Sequence, residues 1–418
     1  MLKASALYIV IIISLVIAVL CSSLIVTAYY YRAEYQKKFR YDQLQNNLGS
    51  AINILSTAPD SVYRNEKTFS IFNQDNDSVS LRKINWGVFD VGVTKAFIQK
   101  DTLYKTFFIA HTIDSSKWAA LYIVDEDRPV SLSGTTTIRG NAYLPKAGVQ
   151  QAYVNNLAYK GDKRLVIGNK YLSTKLLSPL DPKRISQLSD CFMLQGDSSI
   201  RKDSISRSFL KPIKIVDFKK RAVELKNTTL AGNIMLCSDT TVTIDSTATL
   251  DNVLVFARGI IVKNGFHGKC QLFATDSINV GKRSHFEYPS CLGIVRSKQP
   301  KVNSQAKIIV KDSSVFNGLI FTYEKTKTDM KPLVTIGKRD TVRGLIYSQG
   351  ILELNDNAVI NGSVSTKRFL YRTAFTLYEN YLINVTLDSK ALSSYYLTSE
   401  MMPVSEKNKK ILQWIEGN

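Results

Sequence analysis

Histidine is almost missing from this chain: there are three in 418 residues, His111, His267 and His285. They stand far apart, without the spacing of a metal-ligand set. None of the five cysteines forms a CxxC pair, which excludes a zinc ribbon or dithiol redox motif. GxSxG, the P-loop and HExxH are absent, so the acyl-transfer elbow, the phosphate cradle and the zinc-protease helix are excluded. Acidic residues are scarce as well, 35 against 55 lysines and arginines. Glycoside cleavage needs two carboxylates facing one groove. Asp276, Asp312, Glu353 and Asp356 fall near strand ends or corners, where Asp serves turn geometry, and no pair recurs at matched positions. The expectation is a non-enzymatic chain with no catalytic residue, cofactor site, metal ligand or small-molecule substrate.

The acid deficit leaves a formal charge of +20. Such a balance favours acidic neighbours: anionic lipid headgroups, anionic polysaccharide or nucleic acid. The cations lie in short groups, such as Lys37-Lys38, Lys219-Lys220-Arg221, Lys282-Arg283, Lys338-Arg339 and Lys407 to Lys410. Aromatic interleaving of the kind that stacks bases is not evident around them. A solvated basic surface is the competing reading.

What the chain has is one long uncharged run, Ala4 to Tyr31. About 20 apolar residues cross a hydrocarbon core of roughly 30 Å. Tyr8 and the trio Tyr29, Tyr30, Tyr31 are separated so that both fall at headgroup level. Membrane lipid is therefore an expected partner. A cleaved secretory signal is the alternative, with Val26-Thr27-Ala28 offering a small residue to a peptidase, but a signal core is normally about 7–15 residues long. Arg32, Lys37, Lys38 and Arg40 follow the run and only Lys3 precedes it. Counted alone, those charges keep the large domain in the cytoplasm.

The helix continues past the membrane run. Leu44, Leu48, Ala51, Ile52 and Leu55 recur at spacings of three and four, giving an apolar stripe that ends at Ala58-Pro59-Asp60. Leu44, Leu48, Ala51 and Leu55 are the expected helix-packing residues. Trp86–Val93, Tyr104–Ala110 and Trp118–Val124 read as strands of a small antiparallel sheet on which that stripe packs. A repeat follows: an aliphatic strand, a polar turn, then Gly or Asn leading a second strand. Ile308–Phe321, Leu333–Tyr347 and Ile351–Val364 are its clearest copies, with looser ones at Val242–Phe256 and Ile260–Phe273. Leu132–Tyr143 reads as a first rung placed before an insertion. Gly318, Gly344 and Gly362 are equivalent and stand 26 and 18 residues apart, a spacing that suits a β-solenoid gaining its core by stacking. The segments Ser297–Gln305 and Glu324–Lys331 read as loops leaving the stack.

The expected fold is mainly β: a long N-terminal transmembrane and amphipathic helix, a small antiparallel sheet, then a right-handed β-helix with a capped C-terminus. The expected divisions are 1–31 as membrane anchor, 32–57 as amphipathic extension, 58–130 as β-sheet domain, 131–367 as β-solenoid with a polar insertion at about 176–224, and 368–418 as cap. The cap includes a closing helix around Lys407–Glu416 carrying Ile411, Leu412 and Trp414. Cys191, Cys237, Cys270 and Cys291 suit either two disulfides outside the cytoplasm or buried thiols.

The first 55 residues resemble the start of a type IV pilin or type II secretion pseudopilin, the PilX-type minor pilins in particular. The resemblance implies a leader Met1–Ala4, cut between Ala4 and Ser5, an anchor Ser5–Tyr31 and a continuation Arg32–Leu55. Ile9 stands where most mature pilins carry Glu, a departure that resembles a tip-located minor subunit. Implied with it are other pilin-like subunits as partners through the helix. The implied site is the bacterial inner membrane, single-pass, with the large domain periplasmic or extracellular for surface assembly, adhesion or cargo contact. A bactofilin-like scaffold in the cytoplasm and a β-helix polysaccharide-active enzyme are the alternatives.

Overall fold

A computed structural model describes residues 2–59, 62–72, 77–197, 204–298, 304–326 and 328–417, and the side chains from residue 6 onward. Asp60 at the expected helix stop, five residues of the loop 297–305, one of the loop 324–331 and part of the polar insertion lie outside them. The chain forms two compact units, one of Met1–Ile84, Gly92–Phe107 and Trp414–Asn418, the other of Asn85–Val91 and Phe108–Gln413.

The first unit is led by a single helix, Leu2–Thr57. No proline interrupts it, and it stops where Ala58 N–H closes the last turn on Ile54 and Pro59 removes the next donor. From residue 6 to residue 39 every side chain is exposed, including the whole apolar run. That stretch is long and apolar enough to cross a membrane. Strands Lys67–Phe69, Asp77–Trp86, Phe89–Ile98, Asp101–Ile113 and Ser405–Gly417 form a small sheet in that order. Its first pair is antiparallel, with Lys67 opposite Leu81. The expected strand Trp86–Val93 is corrected to a hairpin: Trp86 ends one strand, Gly87 turns at φ +62°, and Phe89 begins the next. Trp118–Val124 is also reassigned, because Leu121–Ile123 pairs in the second unit and not in this sheet.

The second unit is built from parallel strands in register. Val242 pairs with Ile260, Ile260 with Ile278, Ile278 with Ile308, Ile308 with Val334, and Val334 with Leu352. Each is buried completely. The step is 18 residues for the first two pairs, lengthens to 30 and 26 where loops leave, and returns to 18. A second column runs Leu292, Ile320, Ile346, Val364, and continues into Leu121 and Ala142. A third runs Phe286, Phe316, Val342, Ile360, Leu387, and continues into Ile138. One apolar core links all three columns. Burying such a side chain contributes about 1.5–3 kcal/mol, and no strand reaches that alone.

The order of stacking corrects the placement of Leu132–Tyr143. This segment lies upstream in sequence but beyond the last coil in space, so residues 121–172 extend the end formed by residues 359–388. Within the expected insertion, the helix Pro182–Cys191 is followed by Ser204–Arg207, Lys214–Asp217 and Val223–Leu225, which already belong to the parallel set. The fold is mainly β, as expected, with one long apolar helix and a small antiparallel sheet. The strand pairings of the parallel set join into a closed circuit, and a right-handed β-helix is not clear from them. The closing helix is corrected: Ser405–Gly417 is a strand, and Trp414 sets its ring edge-on to Phe107 at 5.4 Å. Pairing beside Asp101–Ile113 outweighs the helical spacing of Ile411 and Trp414.

Glycine is required where the coils turn. Gly318, Gly344 and Gly362 sit directly over one another at φ +146°, +143° and +150°. A Cβ at Gly344 would run into the Gly318 carbonyl oxygen, and one at Gly362 into that of Gly344. Backbones approach there as closely as ladder hydrogen bonding allows. Replacing Gly344 by Val is expected to cost about 3 kcal/mol or more, read as a lowered unfolding midpoint in detergent. An unchanged midpoint contradicts the stacked corner.

Asp340 holds another corner. Its carboxylate accepts from Ser314 N–H at 2.8 Å and Gly337 N–H at 2.7 Å, wholly buried. Burial outweighs both hydrogen bonds and, with Asp312 nearby, pushes its pKa up from 3.8 to about 7. The folded state thus holds a proton that the unfolded state releases above about pH 4. That contribution to stability is complete in acid and lost as pH rises through 7. The melting temperature of wild type relative to Asp340→Asn should fall between pH 4 and pH 8; a constant difference refutes the shift.

Candidate functional site: the helix seat and the coil faces

On the last four turns of the long helix, Leu44, Leu48, Ala51, Ile52 and Leu55 are buried. Their spacing of three and four places them on one side, where the first unit supplies strands. Gly92 is what admits the helix: a Cβ there would strike the Phe107 ring and press on Leu55. Asn47 lies on the same stripe, 2 % exposed, and donates to Asp77 at 2.8 Å, while Ser70 Oγ donates to the other carboxylate oxygen at 2.8 Å. This polar anchor was not foreseen, because Asp77, which satisfies Asn47, lies 30 residues away. Arg40 reaches Asp101 at 2.9 Å nearer the membrane run, with both groups partly exposed. Ala4 and Ser5 lie within the helix Leu2–Thr57, and their side chains are outside the described ones.

In the second unit, the acids named from the sequence are engaged with neighbouring coils. Asp276 meets Arg258 at 2.7 Å and Arg296 at 3.4 Å, Asp312 accepts from Lys338 N–H at 3.0 Å, and Glu353 accepts from Thr335 Oγ1 at 3.1 Å. The Asp356 carbonyl accepts from Arg339 N–H at 3.1 Å. Arg184, on the short helix capped by Asp181, is buried against Asp90 at 2.8 Å and Glu400 at 3.2 Å. The neighbouring carboxylates keep its guanidinium charged against the cost of burial.

His267 and His285 are 18 residues apart, one coil step, and their rings stack at 4.9 Å in paired register. The coil period in the sequence carried this signal. Glu287 accepts from His267 Nε2 at 2.7 Å, and that bond holds its carboxyl below the usual range. His111 is buried, its Nδ1 2.6 Å from the Glu406 carbonyl, and burial lowers its pKa. Among the described residues no group of three or more His, Cys, Asp or Glu is placed to hold a metal ion.

All five cysteines are free thiols. Cys237, Cys270 and Cys291 are buried and Cys191 is half-buried, so the two-disulfide alternative is set aside. Burial pushes Cys191 up to about 11 and Cys237 to about 12, and it raises Cys270 and Cys291 as well. None of the four is a ready thiolate.

No protein-family model and no curated protein matches the chain. Among solved structures, the competence-associated pilin ComZ from Thermus thermophilus aligns at a TM-score of 0.19 with 9% identity, over 93% of this chain and 96% of that one. A TM-score of that size does not establish a common fold.

Leu48→Asp would bury a carboxylate between the helix stripe and its sheet. A loss of about 3 kcal/mol or more is expected, while Asn53→Asp on the exposed face should stay within about 0.5 kcal/mol. Chemical denaturation of the full-length protein in micelles measures both, and equal effects would remove the seat from the account.

Proposed function

We propose that this is a non-enzymatic, single-pass protein of the bacterial inner membrane, of minor-pilin or pseudopilin type. Its helix holds the protein in the bilayer, and its parallel strands, wound as a right-handed β-helix, face the periplasm or the cell surface for adhesion, assembly or cargo contact. One observation carries the reading. The helix leaves every side chain from residue 6 to residue 39 uncovered, apolar as far as Tyr31, and then buries a stripe from Leu44 to Leu55. A rod with a bare greasy half and a docked amphipathic half suits a protein that lodges in lipid, or among other such helices, beneath a folded head. The engagement of Asp276, Asp312 and Glu353 in inter-coil bonds favours binding over hydrolysis.

Two measurements on native cells test it. Intact-mass and N-terminal analysis should give a chain beginning at Ser5 with a methylated amine; a chain beginning at Tyr29 makes this a secreted protein instead. Protease added to spheroplasts should degrade the β domain while a cytoplasmic control survives. Protection of the β domain would overturn outside display and favour the cytoplasmic scaffold that the cations after Tyr31 permit.

A further inference from the structure

The stretch from Ser173 to Leu180 crosses the face of the parallel set as a strap. Tyr122 Oη lies 2.9 Å from Thr174 Oγ1 and donates to the Leu176 carbonyl at 3.2 Å, while Tyr347 Oη donates to the Ser178 carbonyl at 2.9 Å. Two cavities flank the strap, of about 370 and 230 Å³, and Leu177 and Tyr347 line both. The larger is within the size range of small-ligand pockets, about 300–1,000 Å³.

Their linings differ in chemistry. Among the described residues, four lysines, Lys175, Lys325, Lys331 and Lys367, converge on the larger cavity against one carboxylate, Glu324. That carboxylate is already bound to Arg296 at 2.9 Å, with both side chains 4% exposed. Behind Lys367, Glu126 is shared between it and Arg368, at 3.4 and 2.7 Å. Burial and the cations Lys367 and Arg368 push the Lys331 pKa down. Like charges held together in a partly desolvated hollow favour an added anion. The smaller cavity sets hydroxyls of Ser178, Ser363, Ser365, Tyr122 and Tyr143, with Lys117, among the apolar Ala119, Leu177, Pro403 and Val404.

We propose that these adjoining cavities bind a short stretch of acidic polysaccharide, with a uronate among the lysines and the next sugar's hydroxyls among the serines and tyrosines. The assignment rests on the display reading above and names the class of ligand displayed against. Nucleic acid is less suited, because Tyr143 lies between the rings of Tyr122 and Tyr171, at 5.5 and 5.1 Å, and offers no free face to a base.

The test uses full-length protein in micelles with tetragalacturonate, maltotetraose, a single-stranded DNA decamer and inorganic phosphate, followed by calorimetry. Tetragalacturonate should bind, and added salt should weaken it. Lys331→Gln with Lys367→Gln should weaken binding about tenfold or more without lowering the melting temperature. Lys331→Arg with Lys367→Arg, and Lys219→Gln with Lys220→Gln on exposed residues elsewhere, should stay within about threefold. Absence of tetragalacturonate binding, equal affinity in the glutamine variant, or tighter binding of maltotetraose, DNA or phosphate overturns the proposal. Binding is read on purified protein whichever side of the membrane the domain occupies. Its failure therefore leaves outside display standing, and failed display leaves the pocket standing.

Discussion

No coil of the second unit can bury its inner face by itself, and this constraint governs the rest of its architecture. A column such as Val242, Ile260, Ile278, Ile308, Val334, Leu352 becomes a core only when each strand lies in register on the next. A slip of one residue would turn every aliphatic outward, so register is held by the apolar alternation and by corners where only glycine fits. The columns do not respect chain order. They pass from Val364 to Leu121 and from Leu387 to Ile138, joining residues some 240–250 positions apart. Contacts of that separation make ordering the early rungs dependent on the late ones.

Much of this was legible in the residues. An uncharged run of bilayer length, a stripe at three-and-four spacing and glycines 26 and 18 apart are local patterns with single physical explanations. The glycines indeed stack one on another. What failed was whatever depends on partner choice. Leu121–Ile123 carries strand propensity but nothing saying which strand it joins, and it pairs with Val364–Thr366. The tail Ser405–Gly417 reads as helix or strand with similar ease until a sheet edge is available. Leu132–Tyr143 resembles a first rung because sequence order suggests it, whereas in space Thr137–Arg139 lies on the late strand Thr386–Asp388. At the helix seat, the stripe was visible and its polar member Asn47 was not, since Asp77, which satisfies it, lies 30 residues away.

The same stacking sorts the charge. Arg258 with Asp276, Lys263 with Asp245, Lys269 with Asp251 and Arg139 with Asp388 pair side chains on adjacent coils. Each exposed pair contributes little. With 55 cations and 35 anions, a surplus remains, and part of it gathers where the strap meets the loop before Pro332.

The claim on which this account rests is that early rungs complete the late stack, and a disulfide reads it directly. Thr137 and Thr386 are paired in register beside the inward-facing Ile138 and Leu387. Cysteines placed at both positions should join under mild oxidation, and peptide mapping should recover the 137–386 link at unchanged melting temperature, because paired parallel strands meet disulfide geometry. If the 137–386 link does not form, or forms only when the protein is unfolded, the coils do not stack in this order.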